Sequence, residues 1–291
     1  MQFWVIQTLN SLALGGLLFL LSSGFSLIFG LMRVANLTHG AYFMLGAYVG
    51  LTLLNAGVHF LLAVAAGAGT MAVLGGLVER FVLRRLAGQS PAERTRAQVL
   101  VTLGLGFIIA DGALWVWGGE AFPLPVPPSV RGIARMGTIA FPIYRLVVIA
   151  VAVVMALLLW LMLERTRLGA MIRAAVDNTE MARGMGIPVS RLFTSVFCLG
   201  AGLAGMGGVL GGPILSVYPG LDNDMLPLAL VVVILGGMGS FVGAFVGSFV
   251  IGFIYTFGQT LLPDLAYVIL FLPMVLVLVA RPQGLFGRAS A

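Results

Sequence analysis

Polar side chains suited to contacting a small solute lie together in VANLTHG, residues 34–40. Asn36 and His39 are three residues apart, so on a helix they share a face, and Thr38 lies between them. Gly40 follows and lets a backbone or a solute approach closely. Such groups at a helix N-terminus favour a carboxylate, which makes this stretch a candidate solute path. The alternative is structural: Asn36 starts the helix and His39 bonds a neighbouring carbonyl.

Asp111 is a second candidate, because it is a carboxylate in the apolar stretch GFIIADGALWVWGG. A carboxylate within a membrane must pair, bind a proton or face water, and such residues often mark a transport path. We therefore consider Asp111 a gate or path residue. A hydrogen bond to a nearby hydroxyl or amide is the structural alternative.

Residues for catalysis or metal binding are scarce. The chain has two histidines, His39 and His59, and one cysteine, Cys198, and it contains no HExxH, CxxC or GxSxG sequence. These counts exclude a disulfide framework and predict neither a catalytic site nor a metal site. We therefore expect a transport protein that binds no cofactor, not an enzyme.

The composition is that of a membrane protein. Of the 291 residues, 60% are hydrophobic and 9% are charged, whereas a soluble domain is about 25% charged. Several stretches approach the ~20 apolar residues that cross a bilayer as a helix. We predict an all-α polytopic integral membrane protein with a single domain over residues 1–291 and about 8–10 transmembrane helices, the seventh short or broken. The predicted spans are 8–31, 36–56, 60–82, 97–118, 142–163, 193–215, 225–236, 241–260 and 266–280.

The distribution of arginine predicts the orientation of these spans. Thirteen of the sixteen arginines fall at residue 33, in the 80–96 and 164–191 loops or in the tail after residue 280. Arginine concentrates on the cytoplasmic side of membrane proteins, so we predict an external N-terminus and a cytoplasmic C-terminus. The same placement explains the net charge of +6 without nucleic-acid binding.

Residues 164–191, hereafter the insert, interrupt the apolar spans with a polar sequence. In DNTEMARGMGIP, Asp177 can cap a helix and Glu180 follows three residues later. Gly186 supplies a left-handed stop and Pro188 prevents continuation. The pattern predicts a short helix at about 178–185, on the cytoplasmic side.

Small residues recur every four positions in three places, a spacing that lets helices pack closely. The three sets are Gly46 and Gly50; Ala204, Gly208 and Gly212; and Gly239, Gly243 and Gly247. The proline-rich segment 118–142 is predicted to be extended.

Every basic residue is arginine, because the chain contains no lysine. A phosphate-binding P-loop requires the lysine of GxxxxGK[ST]. If ATP drives this protein, another polypeptide must bind the ATP.

Several blocks resemble one family, the LivH-type permease subunits of branched-chain amino acid ABC importers. They are TRLGAMIRAAVDNTEMARGMGIPVSRLF (166–193), AGLAGMGGVLGG (201–212), GFSLIFGLMRVANLTHGAYFMLGAYVG (24–50), ILGGMGSFVGAFVG (234–247) and RPQGLFGR (281–288). The resemblance implies the ABC importer permease fold, a bacterial inner-membrane location, a second LivM-type permease, two cytoplasmic ATPases that bind ATP and Mg²⁺, and an extracytoplasmic binding protein. It also implies that the short helix, here about 177–186, docks on an ATPase. The residues of this coupling helix are Asp177, Asn178, Thr179, Glu180, Ala182, Arg183 and Gly186.

The function that follows is a permease subunit forming half of a path for branched-chain amino acids or similar small amino acids or amides. Family members with this architecture also move urea, amides or aromatic acids, so the substrate stays open. The alternative is a stand-alone secondary transporter or channel in which His39 and Asp111 relay protons.

Overall fold

The computed structural model describes residues 2–32, 36–88, 91–136 and 139–287. These form eleven α-helices and one β-hairpin. The helices are α1 (Gln2–Met32), α2 (His39–Asn55), α3 (Phe60–Phe81), α4 (Pro91–Trp117), α5 (Ile143–Arg165), α6 (Arg167–Asp177), α7 (Thr179–Gly184), α8 (Val189–Leu215), α9 (Leu221–Gly236), α10 (Phe241–Leu261) and α11 (Ala266–Ala280). Strands β1 (Ile133–Met136) and β2 (Ile139–Pro142) pair antiparallel.

Six of these helices are long and apolar enough to cross a membrane: α1, α3, α4, α5, α8 and α10. Helices α2, α9 and α11 are shorter, with 17, 16 and 15 residues. Each of the nine predicted spans coincides with one of these nine helices, and the seventh is short as expected. The prediction of an all-α polytopic membrane protein is confirmed.

The core lies where α1, α2 and α3 pack against α8, and glycines set these distances. A Cβ on Gly46 would lie 2.5 Å from the Cα of Gly205, and a Cβ on Gly24 would lie 2.4 Å from the carbonyl oxygen of Gly200. Both are far below normal contact, so the helices approach this closely only because side chains are absent. The predicted role of Gly46 in close packing is therefore confirmed.

The third small-residue set differs from the prediction. Gly243 and Gly247 lie in α10 and pack against α9, but Gly239 precedes that helix. Gly239 has a φ of +81° and contacts Gly30 of α1. It therefore makes a turn that L-residues rarely adopt, and it is not part of a helix face.

Different connecting segments lie at the two ends of the helix bundle. The insert lies at one end together with the 3-10 segment Leu83–Gly88; we call this end the insert side. The β-hairpin marks the opposite end, the hairpin side. The prediction that segment 118–142 is extended is confirmed for most of its described residues, which include both β-strands and only one 3-10 turn, at Pro128–Val130.

Helices α2 and α9 start inside the bundle, not at either end. His39, the first residue of α2, bonds through Nε2 to the carbonyl oxygen of Leu21, well within α1. A Cβ on Gly40 would lie 2.8 Å from the carbonyl oxygen of Asp222, in the first turn of α9. The N-termini of α2 and α9 therefore meet inside the protein.

From this meeting point the two helices run in opposite directions. Thr52, near the end of α2, accepts a hydrogen bond from the indole of Trp117 at the hairpin-side end of α4. Gly236, at the end of α9, contacts Gly243 near the start of α10, on the insert side. Each helix therefore crosses only part of the bundle, which explains its length.

Candidate functional site

Seven polar residues are buried around the meeting point of α2 and α9, and we call them the polar cluster. They come from the approach to α2, from its first turn, from α4 and from α9. They are Asn36, Thr38, His39, Tyr42, Gln98, Thr102 and Asp222, with exposed fractions between 0% and 8%. The structure thus brings the predicted Asn36, Thr38 and His39 together with four other polar side chains.

Hydrogen bonds fix the backbone that leads into α2. The Thr38 hydroxyl donates to the carbonyl oxygen of Thr102 at 2.7 Å, and the Leu37 amide donates to the Thr102 hydroxyl at 3.2 Å. The Asn36 side-chain oxygen accepts from the Thr38 amide at 3.2 Å. Asn36 therefore shapes the turn before the helix, and the N-cap position belongs to Thr38, whose side chain makes no cap bond.

Five atoms of the polar cluster have no hydrogen-bond partner among the described residues. They are Asn36 Nδ2, His39 Nδ1, the Tyr42 hydroxyl, Gln98 Nε2 and Asp222 Oδ1. A buried polar atom without a partner costs about 1–3 kcal/mol, and native proteins contain few of them. These five atoms belong to residues at or near the two helix starts. We interpret them as groups that can hydrogen-bond a ligand.

The electrostatics of the two helix starts differ. A helix N-terminus carries about +0.5 of an elementary charge. The first turn of α2 has no acidic residue, whereas the first turn of α9 contains Asp222 and Asp224. The polar cluster therefore combines an uncompensated positive helix end with a buried carboxylate.

Sequence reasoning missed Asp222 and Tyr42. Asp222 lies outside the predicted spans, yet it is only 8% exposed and its backbone lies against Gly40. The available signal was an acidic residue at the start of a span too short to cross the membrane. Tyr42 gave no signal beyond its place one turn after His39.

Asp111 does not join the polar cluster. It lies on α4 nine residues after Thr102, about 13 Å farther along the helix, and its side chain is exposed. The neighbouring Trp115 is 89% exposed. This face of α4 points away from the rest of the chain.

The insert contains two helices where the sequence predicted one. After α5, Thr166 caps α6 by accepting from the Gly169 amide at 3.2 Å. Asn178 caps α7 through Oδ1, which accepts from the Met181 amide at 2.9 Å. The predicted cap, Asp177, is wrong by one residue, because it is the last residue of α6. The stop is as expected: Gly186 has a φ of +83°.

The faces of α7 differ in what they contact. Ala182 is 2% exposed and packs with the buried side chains of α6 and α8. Ala182 therefore fastens α7 to this chain, and its place in a coupling helix stays a prediction. Glu180 and Arg183 are exposed, and Met181 and Met185 are 64% and 77% exposed. These methionines, one on α7 and one directly after it, form an apolar surface that sequence reasoning overlooked. Thr179 bonds back to the Ala175 carbonyl oxygen.

An ion pair connects the end of the insert to the α3 side of the bundle. The carboxylate of Glu79 is 2% exposed and lies 2.9 Å from Nη2 of Arg84. The Thr194 hydroxyl donates to Glu79 at 2.7 Å, and Arg84 also donates to the Ser190 carbonyl oxygen at 3.0 Å. We call Glu79, Arg84 and Thr194 the clamp. It holds the start of α8, directly after α7, to the end of α3.

Comparison with known proteins gives one family over nearly the whole chain. The profile described as branched-chain amino acid transport system / permease component matches residues 7–278. The high-affinity branched-chain amino acid transport system permease protein BraD of Pseudomonas aeruginosa is 27% identical over 97% of this chain and 95% of its own. Its counterpart LivH of Escherichia coli K12 is 24% identical over 98% and 96%. A probable LivH of Methanocaldococcus jannaschii is 25% identical over 76% and 70%. No solved structure was found to match.

Proposed function

Because the chain belongs to the family of branched-chain amino acid transport system permease components, we propose that it is the LivH-type subunit of an ATP-driven importer. It forms half of the path for branched-chain amino acids across a bacterial inner membrane. A LivM-type permease forms the other half, two cytoplasmic ATPases hydrolyse MgATP, and an external binding protein delivers the substrate. The N-terminus is external and the insert cytoplasmic, as the arginine distribution favours.

The observation that supports coupling to an ATPase is the construction of α7. Its cap at Asn178 and the left-handed stop at Gly186 give a helix of 6 residues with defined ends. Ala182 anchors it to the chain, while Met181 and Met185 are exposed on a segment outside the membrane spans. Flexible methionine side chains adapt well to an apolar groove, so we propose that these two residues insert into the ATPase.

The clamp supports the transmission of movement from α7 to the spans. Glu79, Arg84 and Thr194 bind the first two turns of α8 to the end of α3. Helices α3 and α8 also pack closely through Gly75 and Ala201. Displacement of α7 by the ATPases therefore moves α3 and α8 as one unit, which is the rigid-body step of alternating access.

The face of α4 that carries Asp111 suits the second permease. An exposed carboxylate in an apolar span is costly in lipid, and Trp115 and Phe107 are exposed nearby. Contact with a partner subunit or with the water-filled path removes that cost. We propose that Asp111 lies at the boundary between the two permeases, away from the polar cluster of this chain.

The test replaces the apolar surface of α7 in the assembled importer. We expect Met181→Asp/Met185→Asp to abolish ATP-dependent uptake of leucine into membrane vesicles, because two carboxylates are costly in an apolar groove. The matched control is Met238→Asp, at an exposed methionine in the turn between α9 and α10. Co-purification then shows whether the ATPases are lost. Normal uptake by the double variant excludes the docking role of α7.

The same vesicles separate the importer from a proton-coupled transporter that works alone. An importer subunit moves no leucine without its ATPases, even under a full proton gradient. Uptake by the chain alone that an uncoupler abolishes contradicts the proposal. A relay from His39 to Asp111 also has to connect a residue buried at the start of α2 with one on the outer face of α4.

A further inference from the structure

The polar cluster combines three features that rarely occur together inside an apolar bundle. Two interrupted helices start at the same point and run in opposite directions. Asn36, His39, Tyr42 and Asp222, at or beside these two helix starts, carry buried polar atoms that make no well-formed hydrogen bond to a described residue. Transporters place solute sites where discontinuous helices meet near the middle of the membrane.

We propose that the polar cluster binds the zwitterionic backbone of an α-amino acid. The positive N-terminus of α2, with the amide of Asn36 and the hydroxyl of Tyr42, receives the carboxylate. The carboxylate of Asp222 receives the ammonium group. This inference rests on the proposed function and identifies, within this chain, the residues that contact the solute.

The carboxylate side of the site follows from the start of α2. The first turn of α2 contains no acidic residue of its own beside its partial positive charge. Asn36 Nδ2 and the Tyr42 hydroxyl are hydrogen-bond donors that lie next to each other, and neither atom makes a well-formed hydrogen bond to a described residue. Both side chains have an exposed fraction of 0%, so the bonds they make to an anion are shielded from water and strengthened.

The ammonium side follows from Asp222. The backbone amides of Asp222 and Asn223 support its carboxylate in part, but Oδ1 makes no well-formed hydrogen bond to a described residue although Asp222 is 92% buried. In the same turn, Asp224 bonds the Tyr218 hydroxyl. The described residues contain no ion pair that involves Asp222. A buried carboxylate in an apolar span is unfavourable unless a cation or a proton joins it, and the ammonium group of the solute is such a cation.

The two charges of the site are close enough for one small molecule. Gly40 in the first turn of α2 contacts the backbone of Asp222 directly. The carboxylate and ammonium groups of an α-amino acid share one carbon atom, so they need opposite charges a few ångströms apart. A neutral amide or urea lacks both charges. The site therefore favours amino acids over the uncharged solutes that similar permeases carry.

Helix α4 lies along one side of the site and contributes Gln98 and Thr102 to it. Leu37 and Thr38 bond Thr102, and Gln98 Nε2 is unpartnered one turn earlier. The face of α4 opposite these residues is exposed, so α4 separates the polar cluster from the surroundings of the chain.

The test measures binding directly, with the permease–ATPase complex free of its binding protein. Leucine, leucinamide and 4-methylpentanoate are added separately, and thermal unfolding of the complex is followed. A ligand of the folded state raises the unfolding temperature according to its concentration and Kd. We expect leucine to raise it and the other two, each lacking one charge, to leave it unchanged.

Two substitutions, each with a control on the same helix, identify the residues. We expect Asp222→Asn to weaken leucine binding about 10-fold or more, because a buried charged hydrogen bond is lost, whereas Asp224→Asn leaves it unchanged. Tyr42→Phe keeps the buried ring and is expected to weaken binding about 5-fold. The control Tyr48→Phe removes a buried hydroxyl from the same helix two turns away.

The outcomes separate this inference from the proposed function. If the wild-type complex imports leucine with ATP but leucine and leucinamide stabilise it equally, or neither does, the site is wrong and the importer role stands. Equal effects of Asp222→Asn and Asp224→Asn, with equal effects of Tyr42→Phe and Tyr48→Phe, also overturn the site. If ATP-dependent import by the wild type is absent, the proposed function itself fails.

Discussion

Replacement of Arg84 by Met leaves the buried carboxylate of Glu79 without its cation. Arg84 donates three hydrogen bonds of 2.9–3.3 Å to Glu79. Without them, the hydroxyl of Thr194 is the one hydrogen-bond donor to Glu79 that the described residues retain. Removing one partner of a buried ion pair costs about 3–5 kcal/mol. The side chain of Arg84 is 37% exposed, so water reaches part of the vacated space. We expect the free energy of unfolding to fall by roughly 2–3 kcal/mol.

The assay is equilibrium unfolding of the purified permease in mixed micelles. The matched control is Arg85→Met, because Arg85 is exposed in the same 3-10 segment and its loss is expected to cost less than about 0.5 kcal/mol. In the double variant Glu79→Gln/Arg84→Met no buried charge remains. Its cost is expected to lie well below the sum of the two single costs, by about 1 kcal/mol or more.

The clamp also predicts a functional change. In the assembled importer, Arg84→Met is expected to raise the number of ATP molecules hydrolysed for each leucine imported, since α8 then moves less tightly with α3. Arg85→Met keeps the wild-type ratio. The reasoning is refuted if Arg84→Met destabilises no more than Arg85→Met, or if the costs of Glu79→Gln and Arg84→Met simply add.

Two further predictions concern helix packing and the start of α7. Gly46→Ala brings a Cβ within 2.5 Å of the Gly205 backbone, so we expect the free energy of unfolding to fall by about 1–3 kcal/mol. The control is Gly69→Ala, where a Cβ meets nothing within 4 Å. We expect this control to leave the free energy of unfolding unchanged or to raise it by up to about 1 kcal/mol. Equal unfolding free energies of these variants contradict the packing. Asn178→Ala removes the α7 cap and is expected to destabilise that helix by about 1 kcal/mol. The measurement is amide hydrogen exchange, which we expect to become faster in residues 179–184. Unchanged exchange there argues against the cap.

The positions of the membrane spans follow from the sequence alone. A helix in lipid needs only a sufficient length of apolar residues, since its backbone hydrogen bonds are all internal. The stop of α7 was equally local, because Gly186 and Pro188 act on their own backbone. Its cap was placed one residue early, at Asp177, because adjacent Asp and Asn are both good caps and only the helix register selects between them.

The contents of the polar cluster depended on the tertiary structure. Asn36 and His39 are close in sequence and were found by their spacing, but Asp222 lies more than 180 residues away and its depth was invisible in the sequence. The inward face of Ala182 and the outward face of Asp111 likewise depend on which neighbours surround each helix. Sequence patterns measure apolar length and local turns, which each segment carries by itself. The depth at which a helix starts, and which helix ends meet there, result from packing between distant segments.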